Sequence, residues 1–276
     1  MRKNYFEILA EIDLDVNLEL QKLHDLIREP FWSVEVGRWC SLYELISISF
    51  RSYIRRKHFL ELDEFFNEWT TKTNILSQQE RYFCYAELYL DLFSVLMPLD
   101  DDNIKRQTMV VYNQINIVIN TCGYSLEHIN DRLIVVEDNV FANEAAQAVS
   151  EFADVKGALS ILEYNHFSNK GDIDRKKEIL IKIASLLEPW RDDLNNHIEF
   201  KDVLKLGNNN KVLAVEKLFR MFNKLNIRHN NEEQMLTGLS NQEIESWYDK
   251  VYTLSLFIIL GKDVAQILTD FSKLTE

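Results

Sequence analysis

The stretch Val212-Leu213-Ala214-Val215-Glu216-Lys217-Leu218-Phe219-Arg220-Met221-Phe222-Asn223-Lys224-Leu225 decides the fold class. Val212, Val215, Leu218, Phe219, Phe222 and Leu225 recur at steps of three and four, which lays one apolar face along a helix. The stretch runs into Asn226-Ile227-Arg228-His229-Asn230-Asn231, the most concentrated polar cluster of a chain otherwise rich in Leu and Phe. Beyond it, Ile244, Trp247, Tyr248, Val251, Leu254 and Ile258 mark a second helix. The cluster therefore stands where one long helix stops and a loop to the next begins.

Composition agrees with a helical reading. The chain has 276 residues, enough for two modest domains or one large helical one, and is 46% hydrophobic. Seven Gly and three Pro are few for a sheet-rich fold, which needs more turn residues. The formal charge is −13, from 44 acidic and 31 basic residues. Such a field repels phosphate backbones, so broad non-specific nucleic-acid binding is excluded while a small local basic site is not. Cys40, Cys84 and Cys122 are far apart and form no CxxC pair, which fits buried thiols in a reducing cytoplasm better than a metal knuckle. No uninterrupted apolar run approaches the roughly 18 residues of a membrane span; the longest candidate, Leu254 to Leu260, is short. The N-terminus carries no apolar signal core, so the expected location is the cytoplasm, with no membrane partner.

Working outward toward the N-terminus, Asn17 to Glu29 reads as a helix stopped by Pro30, which bars its preceding residue from helical backbone angles. Val34 to Ile54 reads as a second helix, ending in a basic run, Arg51, Arg55, Arg56, Lys57 and His58, placed as a solvated helix end rather than a nucleic-acid patch. Leu60 to Lys72 follows. Ser77-Gln78-Gln79-Glu80 is a capping box that opens a helix running to Pro98. Its aromatic stripe, Tyr82, Phe83, Tyr85, Tyr89 and Phe93, reads as core. Asp100-Asp101-Asp102 starts the next helix, to about Thr121, where negative charge complements the dipole. The triplet lacks the alternating spacing and distal Glu of a calcium loop. No repeat near 34 or 40 residues is present, so irregular packing is expected rather than a solenoid.

At Cys122-Gly123-Tyr124 the pattern changes. Tyr124-Ser125-Leu126 and Arg132 to Val136 are β-type runs around an Asn130-Asp131 turn, and this hairpin is the only β structure expected. Helices follow over Asn139 to Phe152 and Val155 to Phe167, the second ended by Gly171. Asp172 caps another, which Pro189 kinks or breaks near Leu187. Asn208-Asn209-Asn210 is a polar loop before the helix that opened this section. The expected fold is all-α, an irregular multi-helix bundle with one small β-hairpin near residues 123–137.

An ordered series in the second half carries a resemblance: Ala158-Leu159, Tyr164-Asn165, Gly171-Asp172 with Lys176, Leu187-Glu188, then Asn226-x-Arg228-His229-Asn230. With the hairpin before it, this series resembles the HEPN-type C-terminal domain of bacterial abortive-infection proteins over about residues 123 to 276. The expected organisation is an N-terminal helical domain over 1–121 with no assigned family, a hairpin and connecting helix over 122–151, and a HEPN-like bundle over 152–276. The resemblance implies phage defence, a frequent homodimer, and in many members a metal-independent ribonuclease with an Arg four to six residues before a His. Imidazole can accept a 2′-hydroxyl proton, and a guanidinium can hold the phosphate and its developing charge.

The chain departs from that motif. The places for the Arg hold Phe222, Asn223 and Lys224. Only His229 carries the catalytic role over directly. Arg228 and Lys224 compete as the cation: Lys224 lacks the bidentate fork of Arg, and Arg228 is adjacent to His229, where helical side chains diverge. Asn226, Asn230 and Asn231 are candidates for hydrogen bonds to a phosphate or base edge. The alternative is that Arg and His neutralise a helix's carbonyl end while Asn caps it. The other histidines, His24, His58, His128, His166 and His197, have no sequence-near partners. There is no HxxxH or HExxH, no GxGxxG or GxxxxGKS/T, and no GxSxG, so no metal and no cofactor is expected. Two functions stay open: a ribonuclease of phage defence acting on RNA, or a non-catalytic helical interaction or regulatory protein. In either, the N-terminal helices are candidates to meet a protein partner.

Overall fold

A computed structural model describes residues 13–129, 132–152, 155–204, 211–228 and 235–275. The fold is all-α with small two-stranded antiparallel sheets. Its internal contacts divide it into two compact units, Met1–Val135 and Val136–Glu276.

The first unit opens with α1 (Val16–Arg28), whose N-terminus is capped by Asp15 accepting from the amides of Asn17 and Leu18. It buries Leu20, Leu23 and Ile27 and ends before Pro30 as its sequence requires. The helix expected over Val34 to Ile54 is not formed as such. Phe31–Ser33 (β1) and Arg38–Cys40 (β2) pair as a second hairpin, with Trp32 opposite Trp39, and only Leu42–Ser49 (α2) is α-helical. Gly37, at φ 68°, turns the chain between the strands, and Ser41 caps the shortened helix by accepting from Glu44 N–H. The physical reason lies far along the chain: the Asp101 carboxylate takes hydrogen bonds from Ser33 Oγ and from the amides of Val34 and Glu35, satisfying in a turn the donors a helix would have used. The basic run is then a loop. Arg51 pairs with Glu61, Arg55 with Asp91, and Arg56 donates to the carbonyls of Arg51, Lys57 and Phe59.

Helices α3 (Leu62–Thr73), α4 (Gln78–Leu92) and α5 (Asp102–Thr121) complete the layer. The capping box at Ser77 and Glu80 is formed. Tyr82, Phe83, Tyr85 and Tyr89 are all buried, so the aromatic stripe is core. The hairpin of β3 (Tyr124–Ile129) and β4 (Arg132–Glu137) lies on α4: Tyr124 packs on Phe83, and Val135 N–H donates to Glu87 at 2.7 Å.

His24 of α1 does have a partner, 65 residues on. Its Nδ1 is 2.6 Å from Tyr89 Oη, and its ring meets Tyr85 edge-on at 4.8 Å. Burial first, and then the neighbouring Arg28 charge, hold its pKa down to about 4, against a weaker pull from Asp25. The folded protein therefore refuses a proton that the unfolded chain accepts near its ordinary 6.5. Stability falls as pH drops from about 6.5 toward 4 and the contribution levels off below that. Urea melts across this window should show the slope, and His24→Gln should flatten it; an equal slope in both proteins assigns the acid sensitivity elsewhere.

The second unit contains α6 (Val140–Phe152), α7 (Val155–Tyr164), α8 (Ile173–Leu187), α9 (Arg191–Asn196), α10 (Ile198–Val203), α11 (Leu213–Lys224) and α12 (Asn241–Thr275). Gly171, at φ 79°, and Asp172, accepting from Arg175 N–H, separate α7 from α8. Pro189 sits in a 3-10 turn, Glu188–Trp190, that breaks the run between α8 and α9. α12 supplies Tyr248, Val251, Tyr252, Leu256, Ile258, Ile259 and Ala265 to a core shared with α6, α8, α10 and α11. At 35 residues it is also long and apolar enough, by length and composition alone, to cross a membrane.

Candidate functional site

The C-terminus of α11 is where the sequence placed the site. Asn226 takes φ 54°, the left-handed angle that Asn tolerates better than most residues. Ile227 N–H reaches back to Phe222 C=O at 2.9 Å, and Asn226 N–H to Asn223 C=O at 3.3 Å. These are the two bonds of a Schellman motif, with Asn in the usual glycine position and Ile227 buried as its apolar clasp. Asn226 thus closes the helix through its backbone. Arg228 N–H also reaches Phe222 C=O, and Met235 N–H donates to Lys224 C=O at 3.2 Å. His229, Asn230 and Asn231 lie outside the described residues.

The Arg228 guanidinium is engaged within its own chain. It forms an ion pair with Glu188, on the 3-10 turn after α8, and lies 5.8 Å over the ring of Phe219. Its side chain is only 16% exposed. The same ring receives Arg191 at 4.9 Å, and Arg191 has its own carboxylate, Glu216, at 3.1 Å. Asn195 ties this pair to the start of α11, donating to Glu216 and accepting from Val212 N–H. Each guanidinium is thus matched by a carboxylate. Lys224 forms no ion pair with a described residue.

A second polar constellation escaped the site prediction. Lys176 of α8 is buried, and its Nζ lies 2.8 Å from both Glu245 and Asp249 of α12. Tyr164 donates its hydroxyl to Asp249 at 2.9 Å, and Gly171 N–H donates to Glu245 at 2.8 Å. Tyr164 stacks on Tyr252, whose hydroxyl accepts from Asn165 and donates to Ile161 C=O. Burial opposes the charge on Lys176, yet its hydrogen bonds to Asp249 and Glu245 prevail and raise its pKa. Burial likewise opposes ionisation of Glu245, and the bonds from Lys176 and Gly171 prevail, so its pKa falls. Tyr164 is driven up by burial and then by Asp249. Each of these shifts locks its group in the ordinary neutral-pH state. A general acid or base needs the opposite, a pKa brought toward neutrality. The network is an electrostatic clasp between α7, α8 and α12. Tyr164, Asn165 and Lys176 stand in the series that carries the resemblance; Glu245 and Asp249, at i and i+4 on a helix, were the missing signal.

Among the described residues no group of three or more His, Cys, Asp or Glu is placed to hold a metal ion. No family model, no curated protein and no solved structure matches the chain.

Proposed function

We propose that this chain is a non-catalytic helical interaction protein, in which the Asn-Arg-His stretch closes a helix. The observation that carries this is the use made of Arg228: its charge is matched by Glu188 and its plane rests on Phe219. A phosphate clamp needs an open, preorganised cation. Asn226, the nearest candidate for a substrate contact, serves the backbone of the helix end. The resemblance to abortive-infection proteins supports a setting in phage defence, in the cytoplasm.

One observation favours the ribonuclease reading as second. The chain leaves the end of α11 at Arg228 and is hydrogen-bonded back to it at Met235, so His229 belongs to a segment that begins and ends beside Lys224. Total cellular RNA incubated with wild type and with His229→Ala separates the two. The interaction reading expects intact RNA with both proteins. Cleavage by wild type that His229→Ala abolishes overturns it and installs His229 as the base.

A further inference from the structure

Helix α12 is apolar on two sides. One side, through Tyr248, Val251, Tyr252, Ile258, Ile259 and Ala265, is buried in the second unit's core. The other carries Phe257, Leu260, Val264, Ile267, Phe271 and Leu274, spaced by steps of three, four, three, four and three. That is the a/d alternation of a coiled-coil seam, and it is kept without a break to the end of the helix. Apart from half-buried Leu260, these residues are exposed: Phe257 52%, Val264 44%, Ile267 44%, Phe271 59% and Leu274 83%. Beyond Ala265 the described helix buries nothing more. Alongside its middle runs an apolar trough of about 460 Å³, lined by Phe141 of α6 with Leu256, Phe257, Leu260, Gly261 and Val264 of α12.

We propose that this seam pairs antiparallel with the same helix of a second copy, the inference resting on the interaction reading above. Three features of the sequence select a second copy as the occupant. In an antiparallel pair each a position meets a d position of the other strand. Setting Val264 against the partner's Ile267 then sets Leu260 against the partner's Phe271 and Phe257 against the partner's Leu274, with no seam residue left over. The same register brings Leu268 over the partner's Gly261, so a large side chain meets the position without one. The projecting last turns of each copy fall into the trough of the other. The exposed parts of the seam and Leu268 amount to roughly 700 Å² per copy, near the ~800 Å² that a standard interface buries on each partner.

A lipid surface is the less fitting occupant. The face is a narrow stripe edged by Asp263 and Asp270, and the chain's −13 charge opposes an anionic membrane. Those two aspartates also mark the weak point of the pairing, since Asp263 faces the partner's Asp270. Lys273, 3.1 Å from Asp270 in its own chain, offsets part of that repulsion.

Sedimentation equilibrium of the full chain tests the proposal. Wild type is expected to be a dimer of the 32.7 kDa chain with a micromolar dissociation constant. Ile267→Glu with Leu274→Glu, at exposed positions that leave the core intact, should weaken it more than a hundredfold without changing the far-UV spectrum. Asp263→Lys should tighten it about tenfold, because the new ammonium faces the partner's Asp270 only in the antiparallel register. A monomeric wild type overturns the proposal, as does a dimer indifferent to the Glu substitutions or an Asp263→Lys protein no tighter than wild type. Capture of wild type by phosphatidylcholine–phosphatidylglycerol vesicles, lost in the double Glu variant, gives the face to a membrane instead. A monomer that leaves RNA intact sinks the pairing alone, whereas RNA cleavage dependent on His229 sinks the interaction reading itself.

Discussion

Lys176→Met is expected to lower the unfolding free energy by about 3 kcal/mol, read as a fall in melting temperature of roughly 10 °C. Methionine keeps most of the buried stem, so the loss is electrostatic rather than a cavity. Without the ammonium, Glu245 and Asp249 face each other one helical turn apart, a like-charge pair. Their burial decides the size of the effect. Asp249 is half exposed and recovers water, and it still accepts from Tyr164. Glu245 is 19% exposed and keeps only the Gly171 amide. One stranded carboxylate places the cost at the low end of the range for breaking a buried ion pair.

Two further measurements separate this account from simple loss of packing. Adding Glu245→Gln and Asp249→Asn to Lys176→Met should restore part of the stability, a coupling that independent contacts do not show. The pH dependence has a defined sign. Lys176 has its pKa raised above 10.5 in the fold, so its contribution is whole below that value and is lost as pH climbs past the folded one. Glu245 has its pKa lowered beneath 4.5, so its contribution is whole above that value and is lost as pH falls. Lys176→Met should erode both limbs. A variant that melts with wild type across the whole range would show the clasp to be solvated and without weight.

The local parts of this fold were legible and the distant ones were not. Ser77 with Glu80, Asp172, Pro30 and Pro189 each act within a few residues of themselves, so their helix starts and stops could be read from neighbours alone. The β3–β4 hairpin was likewise carried by a period-two run around a turn. The β1–β2 hairpin was missed because its turn is held by Asp101, 68 residues away from Ser33, and no local signal reports that. The candidate site divides in the same way. The capping of α11 by Asn226 was open to sequence reasoning as the plain alternative to a substrate contact. Glu188, which takes up Arg228, lies on another element, and pairing across such a separation needs coordinates. The Lys176 clasp joins residues 69 and 73 positions apart, so it too had no signature beyond two acidic residues on one helix face.

The second large effect is expected at Asp101, where Asp101→Ala should cost about 3 kcal/mol. This one carboxylate, 2% exposed, has two duties. Its Oδ1 caps α5 by accepting from Asn103 N–H at 2.9 Å. Its Oδ2 holds the β1–β2 turn, accepting from Ser33 Oγ and Val34 N–H at 2.7 Å and from Glu35 N–H at 3.1 Å. Losing the cap costs about 1 kcal/mol. The rest comes from the donors left behind: Ser33 is fully buried, and an unmet buried donor costs about 2 kcal/mol. Burial alone would push this carboxyl's pKa up, but the Ser33 hydroxyl and the Glu35, Asn103 and Val34 amides bring it down to about 2. Its contribution is therefore complete above 3.8 and is lost as pH falls from there toward 2. Asp101→Asn keeps the shape and some acceptance but not the charge, so it should cost less than Ala at neutral pH and flatten this acid limb. Trp32 and Trp39, 46% and 64% exposed on the hairpin, give a local readout. Their emission should shift in Asp101→Ala at denaturant concentrations where far-UV ellipticity still matches the folded protein. If instead both signals and the melting temperature track wild type, the hairpin stands without Asp101, and the reason for its displacing the expected helix must be sought in the pairing of Trp32 with Trp39.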